Sequence, residues 1–321
     1  MNLEERMIAT NGVRLRAYVA GEGPLVVLVH GFPESWYSWR HQIGPIAEAG
    51  FRVCAIDVRG YGGSDKPYPV EAYAMDALTA DIAGVVDAFG GQPAILIGHD
   101  WGAPMVWMTA LAHRSRVRAV AGLSIPYTGL PATPLLELVQ AAYTRRGRFF
   151  YQVYFQDEGV AEAELEADPR LALRKFLYAI SGDAPDGVWP KNKKHGDPLL
   201  LGLVDPDPFP PWLTRADEDF YAGEFARSGF RGPLNRYRNH ARDHAFHAAI
   251  DDPVIRQPAL FIGGERDLAL RMAPGVDPVA AMRSHYADLR GIHMLAGCGH
   301  WTQQERPAET TALLVDWLKG L

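Results

Sequence analysis

The segment that most constrains the fold is Gly98-His99-Asp100-Trp101-Gly102, which stands between an apolar run and a helical sequence. The apolar run, Ala94 to Ile97, has the length and composition of a buried strand, and Ala103 to His113 is typical of a helix. A strand, a sharp turn and a helix hold the central residue of the turn in a strained conformation, and side chains at the flanking positions would clash. The sequence therefore predicts that Asp100 is displayed at the end of a strand, between two obligatory glycines.

A carboxylate in this turn implies a particular chemistry. At pH 7 the Asp100 side chain is already an anion, whereas a Ser must lose a proton before it attacks. An anionic oxygen suits attack on a saturated carbon that carries a strained or good leaving group, and the product is an ester between Asp100 and the substrate. The alternative is that Asp100 only caps the following helix by accepting its first free N–H groups.

Length and composition limit the classes of protein that the chain can belong to. It has 321 residues, of which 48% are hydrophobic and 22% are charged, as in a globular protein with one large domain or an inserted subdomain. A net charge of -6 argues against nucleic acid or an anionic membrane as partner. No apolar run approaches the roughly 18 residues of a membrane span. Only two cysteines are present, and we therefore expect a cytoplasmic location.

Strand-like and helix-like segments alternate in the first third of the chain and again near its end, which predicts a mostly parallel sheet covered on both faces. The predicted strands outside the Asp100 segment are Gly12 to Val19, Leu25 to Val29, Phe51 to Ile56, Val117 to Ile125, Pro258 to Gly263 and Arg290 to Leu295. The middle of the chain is helical and rich in Pro, Tyr, Phe and Arg. We therefore expect residues 1–127 and 244–321 to form the core domain and residues 128–243 to form an inserted helical cap.

A candidate base and a candidate acid follow two later strands. His300 stands after one predicted strand, and Asp267 stands after the preceding one. A carboxylate beside a histidine fixes its tautomer and stabilises the imidazolium, and the order nucleophile, acid, histidine is one that known catalytic triads use. Glu265 is the competing acid.

Two backbone amides and two cap tyrosines complete the candidate site. The loop His30-Gly31-Phe32-Pro33 follows the strand Leu25 to Val29, so the Phe32 amide and the Trp101 amide are candidate oxyanion donors. Tyr151 and Tyr237 lie in the cap. By residue type alone they are more often core residues, but a phenol can donate a hydrogen bond to an epoxide oxygen and later protonate an alkoxide.

Two other interpretations are weaker. His240, His244 and His247 have helical spacing and could bind a metal, but no convincing acidic or Cys ligands accompany them, so a polar helix face is favoured. Cys298 could be a nucleophile, but the turn at Asp100 already supplies one. We expect no metal and no cofactor.

These motifs together resemble the epoxide hydrolases of the α/β-hydrolase fold. The matching stretches span nearly the whole chain: His30 to Arg40, Arg59 to Pro67, Gly98 to Gly102, Tyr151 to Phe155, Ser228 to Asn235 and Cys298 to Gln303. The resemblance implies an α/β fold with a mostly parallel central sheet, flanking helices and a helical cap. It places the nucleophile on Asp100, the base on His300 and the acid on Asp267, and it places the two tyrosines that hold the epoxide on Tyr151 and Tyr237.

The resemblance also implies a substrate pocket and a reaction. The expected pocket residues are Phe32, Pro33, Trp36, Trp101, Gln152, Phe155 and Trp301. Arg236 stands where the resemblance predicts an aromatic residue. The implied reaction converts an apolar epoxide and water to a vicinal diol, in a monomer or a homodimer.

Three rival functions are weighed against this one. Haloalkane dehalogenases share the Asp nucleophile and the following Trp, but they usually carry Asn where this chain has Phe32. Haloacid enzymes such as the fluoroacetate dehalogenases place Arg beside the nucleophile, where this chain has Trp101 and Pro104. A non-catalytic binding protein of the same fold would not need the complete acid and base set.

Overall fold

The centre of the protein is an eight-stranded sheet. The computed structural model describes residues 3–185, 187–190, 192–271 and 277–321. The strands are β1 (Glu4–Thr10), β2 (Val13–Ala20), β3 (Leu25–Val29), β4 (Arg52–Ile56), β5 (Ala94–His99), β6 (Val117–Leu123), β7 (Ala259–Gly264) and β8 (Leu289–Leu295). Their order in the sheet is β1-β2-β4-β3-β5-β6-β7-β8. The pairs β1/β2 and β2/β4 are antiparallel and all other pairs are parallel, which confirms the predicted sheet.

Helices cover both faces of this sheet. The α-helices in the described residues are α1 (Arg40–Glu48), α2 (Met75–Ala88), α3 (Gly102–Ala112), α4 (Leu135–Ala142), α5 (Tyr151–Tyr154), α6 (Val160–Ala167), α7 (Pro169–Ala179), α8 (Arg215–Ser228), α9 (Arg231–Tyr237), α10 (His240–Ala248), α11 (Pro278–Met282), α12 (Thr302–Glu305) and α13 (Pro307–Lys319). Within the described ranges, no helix has both the length and the apolar character to cross a membrane.

Alternate residues of each strand divide the core into two layers, because successive side chains of a strand point to opposite faces. On β3, Val27 and Val29 pack in the layer that α2 and α3 cover. Val26 and Leu28 pack in the other layer, with α1 and α13. The continuous apolar runs of the central strands are thus explained by burial on both faces.

The long insertion between β6 and β7 is helical. Helices α4 to α10 fall in it, although β6 and β7 are neighbours in the sheet. Helix α10 crosses the predicted boundary at residues 243 and 244. It is tied to the core, because the Asp243 carboxylate accepts a hydrogen bond from the Met75 amide at 2.8 Å. The limits of the cap remain a prediction.

Two elements differ from the sequence prediction. Strand β1 was not expected, since Glu4, Glu5 and Arg6 are exposed and the strand lies at the sheet edge with β2 as its partner. The segment from Trp36 to Ala49, whose sequence predicts one continuous helix, is divided, with a 3₁₀ turn at Trp36–Trp39 before α1.

The turn between β5 and α3 has the strained geometry that its glycines predict. Asp100 has a φ of 50°, in the left-handed region that non-glycine residues rarely adopt. A Cβ on Gly98 would lie 2.1 Å from the Gly102 carbonyl oxygen, and a Cβ on Gly102 would lie 2.1 Å from the Val29 carbonyl oxygen. The close approach of β3, β5 and α3 at this turn therefore requires glycine at both positions.

We expect Gly102→Ala to lower the free energy of unfolding by at least about 1–3 kcal/mol, because its Cβ meets backbone that cannot turn away. Urea unfolding followed by circular dichroism measures this. The matched control is Gly223→Ala in α8, where the nearest atom to a new Cβ is an Arg227 side-chain nitrogen at 3.4 Å, so the change should be neutral or stabilising. Equal stability of the two variants would contradict the packing argument.

Candidate active site

Three titratable side chains meet at the carboxyl ends of the central strands. Asp100 follows β5, Asp267 follows β7, and His300 lies in the loop after β8. His300 Nδ1 lies 3.0 Å from both oxygens of Asp267, and His300 Nε2 lies 3.2 Å from Asp100 Oδ2. The three residues that the sequence predicted as nucleophile, acid and base thus form one hydrogen-bonded line.

The geometry separates these residues from the alternatives. Asp100 does not cap α3, since its oxygens face Phe32 and His300 and no side chain caps that helix. Glu265 is exposed, whereas Asp267 is fully buried against His300. Cys298 is buried too, and burial raises the pKa of its thiol, which disfavours a thiolate nucleophile.

The possible metal site at the three histidines of α10 has no support in the described residues. No group of His, Cys, Asp or Glu side chains that could hold a metal ion is found within residues 3–185, 187–190, 192–271 and 277–321. Instead, His247 Nε2 lies 2.9 Å from the Tyr127 hydroxyl, and His244 Nε2 lies 3.0 Å from the Pro131 carbonyl oxygen.

Burial and neighbouring charges shift the pKa values of His300 and Asp100 in this hydrogen-bonded row. Burial alone would favour a neutral His300, but the Asp267 and Asp100 carboxylates outweigh it and raise the pKa of His300 well above its ordinary value. Burial also opposes the Asp100 charge, but the hydrogen bond and charge of His300, together with the Phe32 amide, lower the pKa of Asp100. The resting site therefore holds an Asp100 carboxylate and a His300 imidazolium.

A backbone amide already binds the Asp100 carboxylate. The Phe32 N–H donates to Asp100 Oδ1 at 2.7 Å. The chain can approach this closely because Gly31 has no Cβ, which would lie 2.4 Å from that oxygen. The Trp101 amide has no hydrogen-bond acceptor in the described part of the chain. Of the two predicted oxyanion donors, the Phe32 amide thus contacts the Asp100 carboxylate, and the role of the Trp101 amide stays a prediction.

A buried network behind the line was missed by sequence reasoning. Glu34 and His99 are both fully buried, and His99 Nδ1 lies 2.7 Å from Glu34 Oε2. The other ring nitrogen, Nε2, lies 2.8 Å from the His300 carbonyl oxygen, which can only accept, so Nε2 carries a proton. Glu34 also accepts from Gly31 N, Gln303 Nε2 and Gln304 Nε2. Since Glu34 lies in the loop of the Phe32 donor, one carboxylate connects both sides of the site.

The two cap tyrosines and Asp100 line the same cavity, which has a volume of about 550 Å³. Tyr151 lies in α5 and Tyr237 ends α9, and their ring centres are 5.9 Å apart. Gln152 Nε2 donates to the Tyr151 hydroxyl at 2.9 Å. Burial raises the pKa of both phenols, and the Asp100 charge adds to this, so both remain protonated at neutral pH. One cavity is thus lined by a carboxylate and by two protonated phenols.

The chain matches the family of proteins with an alpha/beta hydrolase fold over residues 24–307. Epoxide hydrolase A of Mycobacterium tuberculosis is 42% identical over 99% of this chain and 98% of its own length. The crystal structure of epoxide hydrolase A from Mycobacterium thermoresistibile has a TM-score of 0.92 and 43% identity, and the match covers 100% of this chain and 99% of that one. The chain belongs to the epoxide hydrolases of the α/β-hydrolase fold.

One of the relatives is a much longer protein than this chain. The bifunctional epoxide hydrolase 2 of Rattus norvegicus is 40% identical over 96% of this chain, but the match covers 54% of the rat protein. The family resemblance predicted from the motifs is confirmed by these comparisons.

Three residues expected in the pocket of this family member line its cavity, namely Phe32, Trp101 and Gln152. Two expected tryptophans do not. Trp36 lies in the core layer of α1 and α13, where its ring stacks on Tyr18 with centres 3.7 Å apart. Trp301 is fully buried, with its indole N–H donating to the Leu177 carbonyl at 2.7 Å, so that it packs beside His300 rather than facing the cavity.

Pro33 and Phe155 are also absent from the lining. Pro33 is buried at the corner of the turn that the Glu34 amide closes on the Gly31 carbonyl. Phe155 is fully buried behind the aromatic wall, with its ring centre 5.7 Å from that of Phe32 and 5.0 Å from that of Tyr237. Phe155 thus supports the wall without forming its surface.

Much of the cavity wall comes from residues that the sequence did not single out, because the cap brings them from distant places. They include Tyr143, Phe149, Phe150, Phe176, Ile180, Val188, Trp189 and Leu268. Seven of the eight lie within residues 128–243, in segments of the predicted cap that carried no motif. Their only sequence signal is the aromatic content of residues 128–243.

We expect Glu34→Gln to lower the free energy of unfolding by about 1–3 kcal/mol, because the amide group turns one acceptor into a donor that faces buried N–H groups. Thermal unfolding of the variant, beside the wild type, measures the loss. Glu48→Gln, at an exposed position of α1, is the matched control and should leave stability unchanged. If Glu34→Gln is as stable as Glu48→Gln, the network does not depend on a carboxylate.

Proposed function

We propose that the protein hydrolyses an apolar epoxide to a vicinal diol through a covalent ester on Asp100. The observation that supports this best is that Asp100, whose pKa is lowered, and the Tyr151 and Tyr237 phenols all line one cavity. An epoxide between them would meet a nucleophile at carbon and proton donors at oxygen. The aromatic walls would suit an apolar substrate.

In the first step, we assign the attack to Asp100 Oδ2. Oδ1 is bound by the Phe32 amide, so Oδ2 is the oxygen that can turn to a ring carbon. The Oδ2–carbon bond forms as the ring carbon–oxygen bond breaks, and a phenol O–H of Tyr151 or Tyr237 protonates the leaving oxygen. The products are a hydroxyalkyl ester and a tyrosinate.

The first step also changes the state of His300. Once Asp100 is an ester, His300 has lost one of the two carboxylates that raise its pKa. Its proton can then pass to the tyrosinate through solvent, which leaves a neutral imidazole and restores the phenol. Asp267 keeps Nδ1 protonated, so Nε2 becomes the atom that accepts a proton.

In the second step, His300 Nε2 removes a proton from water, and the oxygen of that water adds to the ester carbonyl carbon. Negative charge develops on Oδ1, which accepts a hydrogen bond from the Phe32 amide, and we assign the second donor to the Trp101 amide. The bond between this carbon and Oδ2 then breaks, His300 returns the proton to the leaving oxygen, and the diol departs. Asp100 is left as a carboxylic acid with one oxygen from water, and its proton passes to His300, which restores the carboxylate and the imidazolium. No metal or cofactor takes part in these steps.

We also propose that the protein works in the cytoplasm. Both cysteines, Cys54 and Cys298, are free and buried. This supports the proposal of a cytoplasmic enzyme, where thiols are kept reduced. The choice between a monomer and a homodimer is open to measurement by light scattering.

We expect wild-type protein to form diol from a panel of styrene oxides, and Asp100→Ala to reduce the rate by at least about 10³-fold, because the nucleophile is lost. Diol is measured by chromatography. The control is Asp251→Ala, an exposed carboxylate, which should retain wild-type turnover.

Substantial turnover by Asp100→Ala would refute the nucleophile. If the wild type forms no diol from any epoxide, halide release from haloalkanes and haloacids tests the dehalogenase alternative. If the protein shows neither epoxide hydrolysis nor halide release, the alternative of a non-catalytic binding protein is favoured.

We expect the ester to accumulate as pH falls. Attack needs only an ionised Asp100, whose pKa is lowered, so it continues in acid, whereas ester hydrolysis needs a neutral His300 and slows as His300 becomes protonated. Rapid quenching and intact mass spectrometry at pH 5 and pH 8 measure the alkylated fraction. His300→Gln should trap the ester at both values. An unlabelled His300→Gln protein would contradict the assignment of the base.

A further inference from the structure

Arg236 is a buried cation that the proposed mechanism leaves without a role. Its side chain is 2% exposed, at the last turn of α9 and directly before Tyr237. The resemblance to epoxide hydrolases predicts an aromatic residue there. Burying a charged guanidinium costs free energy, because the group loses its hydration. Its surroundings must therefore compensate for that loss.

Two groups outside the cavity hold the guanidinium. Nη2 donates to the Asp243 carboxylate of α10, and Nη1 donates to the Tyr73 carbonyl oxygen. Asp243 is held in turn by the Met75 amide at the start of α2. Burial lowers the pKa of Arg236 to about 9, which leaves the group cationic at neutral pH. Arg236 is therefore a charged group fixed to the core.

The guanidinium also lies on the indole of Trp101. Its central carbon is 4.5 Å from the centre of the Trp101 rings, within the range of a cation–π contact. The buried His240 ring lies 6.2 Å from the same indole. Burial, together with the Arg236 charge, lowers the pKa of His240 to about 4, so this second neighbour is neutral. Trp101 thus has a charged support and an uncharged one.

Trp101 is the point at which this support reaches the reacting groups. Its side chain lines the cavity beside Asp100, and its ring meets Tyr237 edge to face with centres 5.2 Å apart. A shift of the indole would therefore change the space between the nucleophile and one of the two proton donors. In the proposed reaction, that space would decide which of the two ring carbons of the epoxide faces Asp100.

We propose that Arg236 is a positioning residue that, through its contact with Trp101, sets which epoxide carbon Asp100 attacks. The inference rests on the proposed epoxide hydrolysis. Arg236 does not touch the substrate, since it is absent from the cavity lining. Its effect passes through the indole to the distance and angle between Asp100 and Tyr237.

The experiment measures the site of attack on a single enantiomer of styrene oxide in H₂¹⁸O. After the first turnover, each diol takes from Asp100 an oxygen that came from water, so the label marks the attacked carbon. The ratio of the two labelled diols is measured by mass spectrometry, together with kcat, KM and the melting temperature. The variants are Arg236→Met, Arg236→Lys and the double variant Arg236→Met with Asp243→Asn, which removes both charges of the ion pair. The control is Arg242→Met, an exposed arginine of α10.

We expect Arg236→Met and the double variant to change the ratio of attack by about three- to tenfold, as expected for the loss of one partly desolvated cation–π contact. Arg236→Lys, which keeps the charge, should change it in the same direction but less. Arg242→Met should retain the wild-type ratio. If Arg236 acted only as a partner of Asp243, Arg236→Met would lower the melting temperature and the double variant would recover it. The ratio of attack would then stay unchanged in both variants.

The outcomes are distinct. If folded Arg236→Met or the folded double variant gives the wild-type ratio, the inference is overturned. If neither variant folds, Arg236→Lys is the deciding variant, because an ammonium cannot reproduce both the planar contact with the indole and the two hydrogen bonds. An unchanged ratio in Arg236→Lys would then overturn the inference. If the wild type forms no diol at all, it is the proposed function that has failed, together with the inference that depends on it.

Discussion

The position of one imidazole between two carboxylates is the interaction on which the rest of the site depends. His300 contacts Asp267 at one ring nitrogen and Asp100 at the other. All three groups are largely or wholly buried, so each charge is stabilised mainly by its neighbours rather than by water. Removing the Asp100 charge therefore changes the proton affinity of His300 directly. In the proposed mechanism, esterification of Asp100 therefore lowers the pKa of His300, so that the imidazole gives up its proton and can accept one from water.

The fold fixes that imidazole by its backbone. The His300 carbonyl accepts from the Ser124 hydroxyl at 2.6 Å and from His99 Nε2 at 2.8 Å, and its amide donates to the Ile180 carbonyl at 3.0 Å. Ser124 follows β6, His99 ends β5, and Ile180 lies in the insertion. Adjacent strands and the cap thus converge on one residue. This convergence explains why catalytic groups from such distant places in the chain can be held without a metal centre or disulfide among the described residues.

What could be predicted from the sequence follows from constraints that act locally. The glycines on either side of Asp100 predict a tight turn at the end of a strand. Because parallel strands end at the same edge of the sheet, Asp100, Asp267 and His300 could be placed together from the sequence alone. Side-chain direction is not local in this sense. Trp36 and Trp301 stand beside site motifs, but the first lies in the opposite core layer and the second packs behind His300.

Contacts between separate parts of the chain were equally hidden from sequence reasoning. The position of Arg236 was noticed only as a departure from an expected aromatic residue. Nothing local indicates that it would meet Asp243 seven residues later and the indole next to the nucleophile. Strand β1 was missed for a related reason, since an edge strand needs little apolar alternation.

In the proposed assignment, the proton donors Tyr151 and Tyr237, rather than the nucleophile, explain why this site would favour an epoxide over a haloalkane. An Asp carboxylate can displace either an epoxide oxygen or a halide. An alkoxide leaving group requires a proton, whereas a halide requires only weak donors and no proton. Tyr151 and Tyr237 have raised pKa values, so they stay protonated but are weak acids. Such donors are matched to a leaving oxygen that becomes strongly basic as the ring opens, and ring strain supplies part of the driving force. The two phenols therefore restrict a general nucleophile to strained ethers.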